Sequence, residues 1–301
     1  MNGGGQLFKD NIKVHFAAAE TQNQFEATKE MGVKYHLYTA YPFVERMIFE
    51  KPKAPIMTIF DWQKKNPFLI PQYIIENSKH CIQDSGLFTL MFGSQKGNKD
   101  ANLMDKWYNA LVEFTLKYSQ NATCVEIDCQ KILGVEKAWE YRMKLKEAIP
   151  NRIINVFHLE DGQKGLDRLI EFSNYIAISV PELRITKTKT YKQDTHKLAC
   201  YIKNKKPNID IHLLGCTELK MLKQNNFCTS SDSTTYTAPK RYGFLKGNHV
   251  KNIKIEKVKE FVGEDVFNSV SKFGNPQNTS VLLLNIYRLL NKYRQYAGNQ
   301  D

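Results

Sequence analysis

The chain has 301 residues, enough for one large domain or two small ones, and 42% of them are hydrophobic and 25% are charged. This composition is typical of a soluble globular protein with ample material for a core. No apolar run approaches the roughly 20 residues that span a bilayer, and the opening residues lack the apolar core of a signal peptide. We therefore expect a cytoplasmic protein without membrane contact.

The basic residues exceed the acidic ones: 43 lysines and arginines stand against 31 aspartates and glutamates, a net charge of +12. Such an excess favours a polyanionic partner, because basic side chains that neutralise phosphates release bound counterions. A basic surface that serves only solubility would give the same balance, so the charge alone does not decide between these alternatives.

The six cysteines are scattered along the chain, and none forms a Cys-x-x-Cys pair. Neither a zinc knuckle nor a disulfide framework is therefore indicated. Reduced and partly buried thiols are expected.

Strand-like and helical patterns alternate along most of the chain. Strands are predicted at residues 11–19, 33–39, 80–84, 123–128, 152–158, 175–180, 210–214 and 226–232. Helices are predicted at residues 22–31, 102–119, 134–149, 166–174, 195–204, 219–224 and 280–296. A long connection over residues 41–79 precedes the third strand, and connections of that length usually carry function or small elements of their own.

Strands that are mostly followed by helices predict an α/β fold in which a parallel sheet closes into a (β/α)8 TIM barrel. The nearly continuous apolar strands fit burial on both faces. An open doubly wound sheet is the main alternative, but no Gly-x-Gly-x-x-Gly follows a strand. We expect a single domain over residues 1–301, with the barrel at about 11–240 and a basic, helical C-terminal extension at about 241–301 whose last helix packs on the barrel.

The predicted barrel brings the carboxyl ends of its strands to one mouth. Carboxylates and an imidazole lie at those ends, and such polar groups are more typical of a catalytic site than of a packed core. The residues at the strand ends are Asp84, Asp128, His158, Ser179, Gly215 and Asp232. Each one alone has a structural explanation as a turn or helix-capping residue, and only their joint placement favours a site.

These strand ends carry short motifs in the order found in a known family. The sequence Asp-Ser-Gly-Leu-Phe at residues 84–88 resembles the Asp-Ser-Gly-Gly-Phe/Tyr-Gln of the tRNA-guanine transglycosylases and of their relatives, the 7-deazaguanine DNA transglycosylases of phages and bacteria. Residues 126–129 are similar to the family's Phe-Asp-Glu-Cys, residues 176–179 to its Ile-Ala-Ile-Gly-Gly, and residues 212–215 to its His/Tyr-Leu-Met/Leu-Gly. Ser-Asp-Ser at residues 231–233 falls where the family has its nucleophilic aspartate.

The chain departs from the family pattern at several positions. Leu87 replaces the second glycine, Thr89 replaces the glutamine, and His158 is the best match for a glutamine on the fifth strand. The zinc site of the tRNA enzymes, Cys-x-Cys-x-x-Cys with a later histidine, is missing, since no cysteine follows Cys228. We therefore expect no zinc or other cofactor. Because the chain also lacks room for an appended RNA-binding domain, we favour DNA over tRNA as the acceptor.

The resemblance implies an enzyme, a glycosyltransferase of the pentosyltransferase class that exchanges guanine in a nucleic acid for a 7-deazaguanine base, its co-substrate. Asp232 would attack the sugar C1′ and form a covalent glycosyl-enzyme intermediate. Asp84 would act as general acid and then as general base. Asp128 would accept the N1 and N2 hydrogens of the base.

The resemblance also implies further groups that bind the base. Phe88 would stack on it. His158, together with backbone N–H groups near Ser179 and Gly215, would meet its carbonyl oxygen. Ser85 and Gly86 complete the predicted substrate-binding set.

Phosphate contacts are predicted for basic residues that follow the later strands, although a solvated basic face would explain any one of them equally well. These residues are Lys187, Lys189, Lys203, Lys205, Lys206, Lys240 and Arg241. Duplex DNA hides the C1′ atom and the base edge, so the target nucleotide must leave the stack.

Three alternatives stay open: a tRNA acceptor, a nucleosidase that hydrolyses the same bond, and a non-catalytic barrel that binds nucleic acid. Accessory proteins and a bacterial or phage-infected host cell fit the resemblance as well.

Overall fold

Eight short parallel strands form a closed barrel in the computed structural model, which describes residues 12–49, 67–87, 101–245 and 248–296. The strands are β1 (Lys13–Ala17), β2 (Tyr35–Thr39), β3 (His80–Asp84), β4 (Thr123–Val125), β5 (Ile153–Phe157), β6 (Tyr175–Ser179), β7 (Asp210–Leu214) and β8 (Ser230–Ser233). Each strand pairs with the next, and β8 pairs with β1, where Asp232 lies opposite His15. The predicted α/β fold, a (β/α)8 TIM barrel, is confirmed.

Helices surround the barrel and continue beyond its last strand. They are α1 (Gln22–Glu30), α2 (Tyr41–Ile48), α3 (Ile70–Glu76), α4 (Ala101–Tyr118), α5 (Gln130–Leu133), α6 (Val135–Ala148), α7 (Gly162–Phe172), α8 (Val180–Thr186), α9 (Tyr191–Lys205), α10 (Leu219–Gln224), α11 (Ala238–Tyr242), α12 (Ile255–Val262), α13 (Glu264–Ser271) and α14 (Pro276–Tyr296). A small antiparallel ribbon of β9 (Phe244–Leu245) and β10 (Asn248–His249) follows α11. No helix within the described ranges is long and apolar enough to cross a membrane.

Several element boundaries differ from those predicted, and two of the differences have a clear local cause. β1 ends at Ala17, because Ala18 has a φ of 70° and this left-handed conformation takes the chain out of the sheet. α14 begins at Pro276, because Asn275 caps it: the Asn275 Oδ1 accepts a hydrogen bond from Gln277 N at 2.9 Å. Proline is well suited to the first position of a helix, where its missing N–H is not needed.

The barrel interior combines small apolar side chains with a hydrogen-bonded polar row. Ala17, Leu37, Ile82, Val156 and Ala177 form part of the apolar cluster inside the strands. Side chains fill the interior at their level, as is usual in barrels of this size.

Histidines make up the polar row. His15 Nε2 lies 2.7 Å from His80 Nδ1, and His80 Nε2 lies 2.9 Å from Thr123 Oγ1. Burial, reinforced by the neighbouring His80 and His212, lowers the pKa of His15 well below its usual value. These rings are therefore neutral partners in hydrogen bonds.

The C-terminal extension packs against the barrel through α14. Ile286 and Tyr293 are buried in the same apolar core as Phe16 of β1, and the rings of Phe16 and Tyr293 meet edge-on with centroids 6.4 Å apart. Asn285 Nδ2 donates to the carbonyl oxygens of the Thr235–Thr237 turn at 3.2 and 2.8 Å. The expected packing of the last helix is found, and it also fixes the chain that directly follows β8.

Candidate active site

Two aspartates on different strands interact electrostatically at the carboxyl end of the barrel. Asp84 is the last residue of β3, and Asp232 lies in β8 with 9% of its surface exposed. The pKa of Asp84 is raised to about 6, first by burial, which outweighs the hydrogen bond from Gly86 N, and then by the negative charges of Asp232 and Asp128. A carboxyl group with this pKa can hold and release a proton near neutral pH.

A tight turn fixes the Asp84 side chain. Its Oδ1 accepts a hydrogen bond of 2.6 Å from Gly86 N. Gly86 has a φ of 77°, and a Cβ at this position would lie 2.6 Å from Tyr41 N, so only glycine fits. Ser85 is buried, and its carbonyl oxygen accepts from Trp107 Nε1 at 3.1 Å. The structure thus places Ser85 and Gly86 where they orient the carboxylate, while their predicted contact with a base stays a prediction.

Asp232 is held through one of its two carboxylate oxygens. Its Oδ1 accepts from Gly215 N at 2.9 Å and lies 3.1 Å from His212 Nε2. Gly215 has a φ of 61°, and a Cβ there would lie 2.8 Å from the Pro181 ring. Contrary to the expectation from the sequence, the Gly215 N–H serves the aspartate and not a base carbonyl oxygen. Within the described ranges, we find no hydrogen bond to Asp232 Oδ2.

A buried chain of hydrogen bonds continues behind Asp232. His212 is fully buried, and its Nδ1 lies 2.5 Å from Ser230 Oγ, which in turn lies 2.5 Å from the hydroxyl of Tyr175. If Tyr175 donates to Ser230 and Ser230 donates to His212 Nδ1, then Nε2 carries the proton and donates to Asp232. His212 matched a family motif in the sequence, but its contact with Asp232 was not predicted.

Asp128 is bound to a histidine that lies between two carboxylates. His158 Nε2 lies 2.6 Å from Asp128 Oδ1, and His158 Nδ1 lies 3.2 Å from Glu182 Oε2. Burial alone would lower the pKa of His158, but the hydrogen bonds and charges of Asp128 and Glu182 prevail and raise it to about 10. The ring is therefore a cation at neutral pH, and both of its N–H groups are engaged.

This arrangement corrects one prediction. His158 was expected to meet the carbonyl oxygen of the base, yet both ring nitrogens face carboxylates of the protein. Its geometry suits the orientation of Asp128, whose side chain is 27% exposed.

Ser179, the last residue of β6, caps the helix that follows it. Its Oγ accepts from Glu182 N at 3.3 Å, so α8 begins directly at the carboxyl end of the barrel. The structure brings Ser179 to the predicted mouth, and its contact with a base stays a prediction.

Glu20 is a carboxylate of the mouth that was not predicted. It lies just beyond β1 with 8% of its surface exposed, and its Oε2 accepts from Thr39 N at 3.2 Å. Burial raises the pKa of Glu20 to about 7, with a smaller contribution from the charge of Asp84. Glu20 follows the predicted first strand directly, so its place in the sequence was a signal that could have found it.

Four of the predicted phosphate-binding residues follow strands β6 and β8 at the mouth. Lys187 and Lys189 are exposed in the turn after α8, and Lys240 and Arg241 are exposed at the end of α11. Their positions are compatible with a bound polyanion.

The other three precede β7 and so lie toward the amino end of the barrel, and their predicted contact with phosphates stays a prediction. Lys203, Lys205 and Lys206 end or follow α9, the helix that returns the chain to the amino end of β7. Lys203 Nζ donates to the carbonyl oxygen of Ile209 at 2.6 Å, and Lys206 Nζ donates to that of Ser173 at 2.6 Å. Lys203 and Lys206 thus bind backbone carbonyls, whereas Lys205 Nζ lies 3.9 Å from Asp167 Oδ1.

Phe88 lies outside the described residues. Among the residues that the structure describes, no group of three or more His, Cys, Asp or Glu side chains is arranged to hold a metal ion. All six cysteines are unpaired.

Together, fold and site define a (β/α)8 barrel with several interacting carboxylates at its mouth. Comparison of the sequence with protein-family models found no match, and a search of curated proteins found none either. The similarity to the transglycosylases therefore depends on the short motifs alone.

Proposed function

We propose that the protein is a guanine transglycosylase that exchanges guanine in DNA for a 7-deazaguanine base. One observation supports this proposal above all: Asp84 and Asp232 share one mouth, and their environments differ. Asp84 has a pKa of about 6, whereas Asp232 is oriented by two hydrogen bonds to one oxygen. Pairs of carboxyl groups in distinct environments are the usual basis of acid–base and nucleophilic roles in glycosyl transfer.

The first half of the reaction removes guanine. Asp232 attacks C1′ of the target deoxyribose with its second oxygen, and the bond between C1′ and N9 breaks with its electron pair going to guanine. The departing base takes the proton of Asp84. A glycosyl ester on Asp232 and an ionised Asp84 result.

The second half installs the new base. Asp84 removes the N9 proton of the incoming 7-deazaguanine, and that nitrogen attacks C1′. The ester bond breaks, its electron pair returns to Asp232, and both aspartates regain their initial states.

Asp128 supplies the selectivity in this proposal. A carboxylate accepts hydrogen bonds from the N1 and exocyclic N2 hydrogens of a guanine-like edge, and adenine offers no such pair. His158 orients Asp128 through the bond of 2.6 Å between Nε2 and Oδ1. The histidine thus acts through Asp128 and does not need to contact the base.

Mass spectrometry of nucleosides tests the proposal. The protein is incubated with a labelled 7-deazaguanine and either DNA or tRNA, with and without a cell extract that supplies accessory proteins. We expect label in DNA with the wild type and none with Asp232→Asn, which should still bind DNA. Label found only in tRNA would show that tRNA, and not DNA, is the acceptor. Free guanine without replacement would indicate a nucleosidase, and unchanged acceptors would indicate a binding protein without this activity.

A further inference from the structure

The short helix α8 is anchored to both halves of the candidate site. On one side, Glu182 lies 3.2 Å from His158 and 3.0 Å from Lys131 Nζ. On the other side, Pro181 packs so closely on Gly215 that a Cβ there would lie 2.8 Å from its ring. The helix is therefore held rigidly between the residues that orient Asp128 and Asp232.

Ile185 lies on the same face of this helix as Pro181 and Glu182. It follows Pro181 by four positions and Glu182 by three, and residues with that spacing lie on one side of a helix. Its exposed fraction is 80%, the highest among the large apolar side chains in the described part of the chain. Ile185 is thus an exposed apolar side chain on a helix that begins at the rim of the mouth.

The surroundings of Ile185 are basic. Arg184 precedes it, Lys187 and Lys189 follow it, and all three are exposed. A single exposed isoleucine needs no explanation by itself. An exposed isoleucine between cations, on an anchored helix that begins at the rim of a carboxylate-lined mouth, fits a polyanion that also presents apolar faces.

We propose that Ile185 enters the base stack of duplex DNA beside the nucleotide that leaves for the site, while Arg184, Lys187 and Lys189 contact the flanking phosphates. This inference rests on the proposed function, which needs the target nucleotide outside the stack. Extruding a nucleotide costs a few kcal/mol of stacking and pairing, and apolar side chains that fill the gap offset part of that cost. Because α8 is anchored to both halves of the site, the Ile185 side chain keeps its position when duplex DNA binds.

Ile185→Ala separates this role from a general contact with DNA. Labelled 7-deazaguanine incorporation is measured into one sequence presented as a duplex and as a single strand. We expect the variant to lose about tenfold on the duplex and to match the wild type on the single strand, whose target base needs no extrusion. Met143→Ala is the control, because Met143 on α6 is also exposed, at 44%, and lies away from the mouth.

Fluorescence of 2-aminopurine placed next to the target guanine gives a second measurement that does not depend on turnover. Binding of the wild type should raise the fluorescence of the duplex, and binding of Ile185→Ala should raise it much less. Equal losses on duplex and single strand, or no loss on either, would overturn the inference while leaving the proposed function intact. If the wild type modifies neither acceptor, the proposed function fails. The role of Ile185 can still be tested then, because the fluorescence increase on DNA binding can be compared between the wild type and Ile185→Ala.

Discussion

The buried ring of His212 lies behind Asp232, with its Nε2 3.1 Å from Asp232 Oδ1. This contact links the candidate nucleophile to Ser230 and Tyr175 inside the barrel. A carboxylate that is held at one oxygen keeps the other in a defined direction, which is what an attack on C1′ requires.

Replacing His212 should slow the reaction without weakening DNA binding. His212→Phe removes the donor to Asp232, a bond to a charged group worth about 1.5 to 3 kcal/mol, so kcat should fall roughly tenfold to a hundredfold with KM for DNA unchanged. His212→Gln, which can place an amide near the same position, should recover part of the rate.

His196→Asn serves as the control, since His196 lies on α9 and its Nδ1 faces Asn225. Thermal unfolding of all three variants separates a lost fold from a lost contact. An unchanged kcat in a folded His212→Phe variant would contradict the positioning role.

The pH dependence of guanine release should report Asp84. The proposed first step needs the protonated acid, and the pKa of Asp84 is raised to about 6. The kcat/KM for DNA should therefore decline as the pH rises above about 6. Asp84→Asn should lower the rate by a factor on the order of a hundred or more and should remove this decline. A decline that persists at the same pH in the variant would assign it to another group.

The placement of Asp84 and Asp232 at one end of the barrel could be predicted from the sequence. Both follow strand-like segments, and closure of parallel strands into a barrel brings such ends to one mouth whatever the details of packing. The same reasoning placed Asp128 and Ser179 correctly, because each needs only the order of the elements.

The hydrogen-bond partners of these residues could not be predicted from the sequence. His212 meets Asp232 because β7 and β8 pair with His212 opposite Ser230, and the sequence does not show this register. The contact of Glu20 with Thr39 N was also not predictable, because it depends on how the chain beyond β1 turns toward β2. The carbonyl partners of Lys203 and Lys206 depend on how α9 returns to β7, which the charge pattern of the sequence does not show.

Glu20 should make the protein less stable as the pH rises. Its pKa is raised from 4.5 to about 7 in the fold, so the folded state binds more protons than the unfolded state between these pH values, and stability falls across that interval. Glu20→Gln removes this dependence. We expect the variant to be more stable than the wild type above pH 7, by an amount on the order of 3 kcal/mol, and similar to it near pH 4.

Urea unfolding at several pH values measures this difference, with Glu136→Gln, an exposed residue of α6, as the control. A difference between Glu20→Gln and wild type that does not change with pH would show that Glu20 titrates normally.

The stability contribution of His158 also falls as the pH rises, but over a higher interval than that of Glu20. Its pKa is raised from 6.5 to about 10, so its contribution to stability is complete below pH 6.5 and declines progressively as the pH rises from there to about 10. His158→Gln leaves Asp128 and Glu182 without their cation and should cost about 2 to 4 kcal/mol at pH 7. The lower part of this interval is expected, because the Asp128 side chain is 27% exposed.

Chemical unfolding should give a clearly smaller loss for His158→Gln at pH 9 than at pH 7, because most of the interval between the unfolded and the folded pKa has been crossed by pH 9. A loss that has already vanished at pH 9 would mean that the ring is neutral there and does not hold Asp128 as a cation.

The turn after Asp84 should tolerate no side chain. Gly86→Ala combines the strain of a positive φ, about 1 kcal/mol, with a clash, because the new Cβ would lie 2.6 Å from Tyr41 N. Gly134→Ala is a matched control, since Gly134 has a φ of 83° but nothing within 4 Å of a Cβ. We expect Gly86→Ala to reduce the free energy of unfolding by about 1 to 3 kcal/mol more than Gly134→Ala does. The turn also orients the Asp84 carboxylate through the 2.6 Å hydrogen bond from Gly86 N. Base exchange should therefore be slower in Gly86→Ala and unchanged in Gly134→Ala. Equal stability losses in the two variants would show that the backbone at Tyr41 yields and that the turn is not rigid.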